Sequence, residues 1–96
     1  MSRQEILEML GKFKQKNAEQ YGILTLGIFG SYARDEAHEE SDVDLFVTTK
    51  TPNPFLLIHM KDDLENQIHK KVDIVRFREK MNPYLKKRIE TEGVYV

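Results

Sequence analysis

The sequence has no cysteine, almost no net charge and no long apolar run, and each absence excludes a class of protein. Without cysteine among its 96 residues the chain has no disulfide and no thiolate chemistry, which fits a reducing cytoplasm. A formal net charge of −1 at pH 7 argues against direct nucleic-acid binding, because a general nucleic-acid binder is usually distinctly basic. The N-terminus lacks the apolar stretch of a signal peptide, and the apolar run at 55–58 is far too short to span a bilayer. We therefore expect a cytoplasmic protein with no membrane contact.

The composition that remains is that of an ordinary globular protein. Hydrophobic residues make up 40% of the chain and charged residues 32%, a mix that argues against disorder. There is no internal repeat, low-complexity tract or linker. A chain of this length suits one domain, near the small end of what buries a self-sufficient core. We predict a single domain over residues 1–96.

Helices and strands are predicted to alternate along the chain. Ser2 followed by Glu5 is a capping-box pattern that opens a helix to about Tyr21, with Gly22 as its stop. The patterns of apolar residues, asparagine–proline pairs and glycines predict strands at 23–29, 43–49 and 71–77, and helices at 54–70 and 83–92. The tail at 94–96 either adds a short strand or docks on a partner. This order indicates an α/β domain, with helices packed on a small sheet.

The stretch from Gly30 to Asp44 holds most of the candidate functional residues. It is polar and joins two apolar segments that are predicted to be strands. A glycine–serine turn, Gly30-Ser31, offers backbone N–H groups, a hydroxyl and a helix start to an anion such as phosphate. The second strand is expected to carry both Asp42 and Asp44, and their alternation places the two carboxylates on the same face of that strand. Two like charges side by side cost free energy unless a divalent cation lies between them. A phosphate site beside a metal site predicts phosphoryl or nucleotidyl transfer.

Asp73 is the third carboxylate of the constellation. It lies between Val72 and Ile74 in a predicted strand, where an unpaired charge needs a partner or an open cleft. If this strand pairs beside the second one, Asp73 joins Asp42 and Asp44 on one face. Three hard oxygen ligands of that kind suit Mg²⁺, and two such ions about 3.5–4 Å apart clamp the attacking and leaving oxygens of an in-line displacement.

Each of these residues also has a simpler structural interpretation. Asp42 alone fits an Asx turn or a strand entry, and Ser31 alone fits a helix N-cap. Surface ion pairs would account for the rest, namely Asp73 with Arg76, Lys70 or Lys71, and Arg34 with Glu36 or Asp42. We favour the phosphate and metal interpretation because one arrangement accounts for all of these residues together.

The basic run at 86–88, Lys-Lys-Arg, belongs to the predicted last helix. We interpret it first as a solvated helix face, which is the usual place of clustered lysine and arginine side chains. A second possible role is contact with nucleotide phosphates or with an acidic partner surface.

The chain resembles the DNA polymerase β-like nucleotidyltransferases over essentially its whole length. The resemblance rests on a composite motif: Gly30-Ser31, ten further residues, then Asp42-Val-Asp44, with Asp73 in a later strand. The small size resembles the minimal nucleotidyltransferase (MNT) branch, the antitoxin-type partners of HEPN-domain proteins. The resemblance implies a small mixed sheet flanked by helices, and transfer of a nucleoside monophosphate from a nucleoside triphosphate to a hydroxyl.

The resemblance also implies a role for each residue of the motif. Gly30-Ser31 would hold the triphosphate tail, and Arg34 would steady the loop beside it. Asp42 and Asp44 would bind both Mg²⁺ ions, and Asp73 would bind the metal at the attacking hydroxyl and help to remove its proton. In antitoxin members the donor is ATP and the acceptor is a tyrosine of the HEPN toxin, which adenylylation silences.

Asp35 departs from the family pattern, because many relatives carry glycine there and a carboxylate beside a phosphate site opposes anion binding unless it points to solvent. The chain also lacks the additional domain with which larger members hold a base or an acceptor. We therefore expect the acceptor to come from a partner protein or from a second copy of the chain. Two further functions stay open: a binding antitoxin that neutralises its partner by occlusion alone, and a small-molecule nucleotidyltransferase.

Overall fold

The computed structural model describes all 96 residues and arranges four helices around one mixed sheet. The strands lie in the order β3-β2-β1-β4, with β2 and β3 parallel and the other pairs antiparallel. None of the four helices is both long and apolar enough to cross a membrane. The elements in chain order are α1 (Arg3–Tyr21), β1 (Ile23–Phe29), α2 (Gly30–Ala33), β2 (Val43–Thr49), α3 (Pro54–Ile68), β3 (Val72–Arg76), α4 (Pro83–Glu92) and β4 (Val94–Tyr95).

The helices begin where the sequence places capping residues. The Ser2 hydroxyl accepts the Glu5 N–H while the Glu5 carboxylate accepts the Ser2 N–H, so the predicted capping box of α1 is confirmed. Asn53 and Asn82 cap α3 and α4 with their side-chain oxygens, and a proline follows each of them. Gly22 ends α1 in a left-handed conformation, as expected for a C-terminal stop.

Some boundaries differ from the prediction by one or two residues. Helix α3 ends at Ile68 because His69 takes a left-handed conformation, with φ of 60°. Asp42 lies one residue before β2 and is therefore not a strand residue, although the sequence analysis placed it in the strand. The tail forms the short strand β4, which pairs with β1. Of the two roles considered for the tail, the added strand is therefore correct.

The two faces of the sheet bury different sets of side chains. Helices α1 and α3 cover one face, where alternate residues of β2 join the main core (Val43, Leu45, Val47) together with Val72 of β3. The opposite face holds a smaller cluster under α4 (Phe29, Phe46, Ile89). Because side chains alternate along a strand, Asp44 and Asp73 lie on the α4 face. The main core therefore determines which face carries the carboxylates.

Tyr21 ties the end of α1 to α3. Its hydroxyl donates a hydrogen bond to the Asp63 carboxylate, and its buried ring stacks on Phe13 with centroids 6.0 Å apart. Burial raises the pKa of Tyr21 to about 12, and the hydrogen bond to Asp63 and the charge of that carboxylate act in the same direction. The neutral phenol is therefore the form that the fold requires.

Tyr21→Phe is expected to lower the free energy of unfolding at pH 7 by about 1 kcal/mol, because one side-chain hydrogen bond is lost. The folded-state pKa lies above the ordinary value of 10.0, so the stabilisation is fully present below pH 10 and is lost as the pH rises towards 12. Urea unfolding of both proteins at neutral pH and at about pH 11 measures the difference, which should shrink at the higher pH. An equal difference at both pH values would contradict the assignment.

Candidate active site

Strand pairing places the predicted carboxylates in one row. Asp44 of β2 lies opposite Phe29 of β1 on one side and opposite Asp73 of β3 on the other. Asp42 is two residues before Asp44 at the same end of the sheet. The predicted pairing of the third strand beside the second is therefore confirmed, and it sets Asp73 beside Asp44.

Asp44 lies where burial and neighbouring charges act on the same carboxylate. It is half-buried, and burial raises its pKa above the ordinary value for an aspartate. The negative charges of Asp73 and Asp42 act in the same direction, while the guanidinium groups of Arg88 and Arg34 oppose them. The row is thus a set of carboxylates that repel one another, with two arginines close enough to offset part of that repulsion.

The row fits a magnesium ion by its chemistry, although the side chains do not form a closed cage. No group of three or more His, Asp or Glu side chains is arranged so that it could hold a metal ion by itself. Mg²⁺ is commonly bound by one or two carboxylates together with water and substrate phosphates, so a closed protein cage is not required. Burial and the charges of Asp73 and Asp42 raise the pKa of Asp44, and a divalent cation bound there would oppose that shift.

Gly30 brings the backbone against this row. Its φ is 74°, and a Cβ atom at this position would lie 2.3 Å from Oδ2 of Asp44. Only glycine combines this left-handed conformation with so close an approach. The turn after β1 therefore presents the Gly30 N–H and the half-buried Ser31 beside the carboxylates, as the motif predicts.

Glu92, at the end of α4, is a residue of this site that sequence reasoning missed. Its Oε2 accepts a hydrogen bond from the Gly30 N–H at 3.1 Å and one from Nη1 of Arg34 at 3.1 Å. Nη2 of Arg88 lies 3.7 Å from the same oxygen. The spacing of Arg88 and Glu92 indicates a helical ion pair, but only the docking of α4 on the sheet shows that the pair reaches Gly30.

The structure decides which of the predicted surface ion pairs form. Arg34 does pair with Glu36, with Nε and Oε2 3.6 Å apart, but not with Asp42. Asp73 is exposed and takes part in none of the four salt bridges, which run Arg34–Glu36, Arg34–Glu92, Lys86–Glu79 and Arg88–Glu92. The structural interpretation of Asp73 as an ion-pair partner is therefore wrong. The basic run at 86–88 is divided, because Lys86 pairs with Glu79 whereas Arg88 lies at the site.

Asp35 occupies a backbone position that favours glycine. Its φ is 59°, in the left-handed region that aspartate tolerates better than most residues. Its side chain is exposed and lies beside the N-terminus of α1, where it lines a shallow depression with residues 2–4. The carboxylate is therefore turned to solvent and does not face the row formed by Asp44 and Asp73.

A turn of this kind, set against a row of carboxylates at one end of a mixed sheet, defines an enzyme that handles nucleotide phosphates. Comparisons with known proteins agree with this class. The family model described as the nucleotidyltransferase domain matches residues 10–96. The chain therefore belongs to the nucleotidyltransferase family, and the fold and enzyme class predicted from the sequence are confirmed.

Similar proteins cover nearly the full length of the chain. A "putative protein adenylyltransferase" of Methanocaldococcus jannaschii is 39% identical over 93 residues, which are 96% of this chain and 95% of that protein. The protein adenylyltransferase MntA of Thermococcus cleftensis is 33% identical over 97 residues, covering 100% of this chain and 97% of that one.

Solved structures share the fold. One described as a "putative minimal nucleotidyltransferase" superimposes with a TM-score of 0.78 at 28% identity, covering 98% of this chain and 95% of its own. A chain from a complex of a tri-AMPylated HEPN toxin of Shewanella oneidensis with its MNT antitoxin has a TM-score of 0.72 at 20% identity. That likeness covers 97% of this chain and 70% of the other. The chain thus has the architecture of the minimal branch of the family.

Asp44→Asn is expected to raise the melting temperature at pH 7 without metal, because an unfavourable charge is removed. Solvent screening of this half-buried group limits the gain to about 0.5–1 kcal/mol. The folded-state pKa of Asp44 is raised, so its contribution to stability is fully present below the ordinary pKa of 3.8 and is lost as the pH rises through the folded-state value. The gain should therefore vanish as the pH falls towards 4. Asp62→Asn, at an exposed position of α3, is the control for a change of charge alone. A large loss of stability in Asp44→Asn would show that Asp44 is structural.

Proposed function

We propose that the protein transfers AMP from ATP to a tyrosine hydroxyl of a HEPN-type toxin partner, in the presence of Mg²⁺, and so acts as an antitoxin. The observation that carries this proposal is the row of Asp42, Asp44 and Asp73 beside the Gly30 turn. A protein that only bound its partner would have no physical need for three carboxylates that repel one another.

The similar proteins support the choice of nucleotide and acceptor. MntA of Thermococcus cleftensis is a protein adenylyltransferase, and the chain matches it over its full length. In the Shewanella oneidensis complex the HEPN toxin carries AMP groups and is bound to an MNT antitoxin with the same fold as this chain. An AMP donor and a protein acceptor of the HEPN class are therefore the substrates that we assign.

Each side chain has a role that its place supports. Gly30-Ser31 and Arg34 would bind the triphosphate, since the turn supplies a backbone N–H and Arg34 a guanidinium at the same point. Asp42 and Asp44 would hold two Mg²⁺ ions, and Asp73 would hold the one nearest the attacking hydroxyl. When bound, magnesium neutralises phosphate charge and favours the ionised hydroxyl. Asp73 is exposed on an edge strand, which leaves its carboxylate accessible to an incoming hydroxyl.

The surface favours a macromolecular acceptor over a small one. Small-molecule sites are usually concave pockets that enclose most of the ligand. None of the three surface pockets of the chain is lined by Asp42, Asp44 or Asp73. A tyrosine carried by another protein needs no such pocket on this chain, because the partner supplies the rest of the enclosure.

The direct test is mass spectrometry of a HEPN-domain protein from the same genome after incubation with this chain, ATP and Mg²⁺. We expect the mass of the partner to rise in steps of one AMP, and the modified residue to be tyrosine. Asp42→Asn should abolish the gain, and Asp62→Asn should leave it unchanged. A partner that is silenced without any gain in mass would instead support neutralisation by occlusion.

Asp73→Asn separates the chemical step from nucleotide binding. In the proposed reaction its carboxylate acts on the attacking group, so its interaction is strongest in the transition state. We expect the rate of transfer to fall on the order of a hundredfold or more, while calorimetry shows an affinity for Mg²⁺–ATP close to that of the parent. Transfer at the parental rate would exclude Asp73 from the reaction.

A further inference from the structure

Three donors from two parts of the chain meet at a single oxygen atom. The Gly30 N–H and the Arg34 guanidinium, both from the turn after β1, bond to Oε2 of Glu92 at 3.1 Å each. Arg88, one turn earlier on α4, lies 3.7 Å from that oxygen. The Glu92 side chain is 20% exposed, whereas the side chains of Arg34 and Arg88 are 38% and 39% exposed. A backbone N–H and two guanidiniums around one anionic oxygen are the partners that a phosphate oxygen takes.

The two arginines are held at this point by contacts of their own. The Arg88 guanidinium lies 5.6 Å from the centre of the buried Phe29 ring, an arrangement typical of a cation–π contact. Arg34 is held on its other side by Glu36. The Gly30 backbone, whose N–H donates to Glu92, also lies directly against the Asp44 carboxylate, so these donors adjoin the carboxylate row. A nucleotide bound to the row would therefore have its phosphates beside Glu92.

The backbone around Glu92 leaves only the side chain free to move. The Gly93 N–H donates to the carbonyl oxygen of Ile89 at 2.8 Å, and a Cβ atom on Gly93 would lie 2.4 Å from that oxygen. Val94 then pairs with Ile28 of β1. Glu92 is thus fixed at its Cα between the end of a helix and a paired strand. Rotation of the side chain would move its carboxylate away from the donors without breaking these backbone contacts.

We propose that Glu92 is a built-in competitor for the triphosphate, and that Arg88 joins Arg34 in binding the phosphates when Glu92 rotates away. This inference rests on the proposed function, because it names further residues of the same nucleotide site. While the site is free of nucleotide, the carboxylate accepts hydrogen bonds from the Gly30 N–H and from Arg34 and forms an ion pair with Arg88. It must give up these contacts when phosphate oxygens take them, and the exchange lowers the net affinity.

Glu92→Gln tests the competition directly. The substitution keeps the size of the side chain and removes its charge, so the donors are released more easily to the nucleotide. We expect Mg²⁺ and the non-hydrolysable analogue AMP-PNP to bind roughly tenfold more tightly in calorimetry, the equivalent of about one charged hydrogen bond. Glu90→Gln, an exposed position on the same helix, removes the same charge without touching Gly30 and should bind like the parent.

Arg88→Gln should bind AMP-PNP about tenfold more weakly, because a phosphate partner is lost. If Glu92 only held α4 in place, Glu92→Gln would have a lower melting temperature than the parent and would bind AMP-PNP no more tightly. An affinity of Glu92→Gln for AMP-PNP equal to or weaker than that of the parent would overturn the proposal. If the parent and Glu92→Gln bind AMP-PNP as expected but the HEPN partner never gains AMP, the proposed function fails while the competition stands. If no form of the chain binds AMP-PNP, both proposals fail.

Discussion

The register of three strands is the constraint on which the rest of this structure depends. Side chains of β2 alternate between the main core and the α4 face, so the burial of Val43 and Leu45 forces Asp44 to the other side. The parallel pairing with β3 then sets Asp73 beside it. A slip by one residue would bury both carboxylates among α1 and α3 and expose the apolar partners. The hydrophobic core therefore positions the acidic row, although no core residue touches a substrate.

Much of the fold was predictable because its signals are local. Capping residues mark the starts of α1, α3 and α4, and two-sided apolar runs mark β1 and β2. The carboxylate row was also predictable, since strand alternation and one assumed pairing suffice. The left-handed φ of Asp35 was not, because nothing in the neighbouring residues demands it. The resemblance showed only that relatives carry glycine there, and the backbone supplies the physical reason.

Glu92 escaped prediction for a different reason, and contact with nucleotide phosphates was only the second of two roles considered for the run that contains Arg88. Both belong to α4, whose sequence shows an ordinary charged helix with a helical ion pair. Their place at the site depends on how α4 crosses the sheet and on the pairing of β4 with β1, which are long-range packing choices. The strand β4 has only two residues, and its sequence signal is correspondingly weak. Site residues that come from distant segments are therefore harder to predict from sequence than residues of a motif that lies on one strand and one turn.

The position of β3 at the edge of the sheet has a consequence for the solubility of the protein. An edge strand offers unpaired backbone groups to any other strand, and natural proteins discourage such pairing with short edges and charged side chains. β3 is five residues long, and it carries the exposed Asp73 and the half-buried Arg76. A carboxylate on this edge repels the same carboxylate on a second copy of the chain. Asp73 therefore helps to prevent edge-to-edge aggregation, whatever else it does.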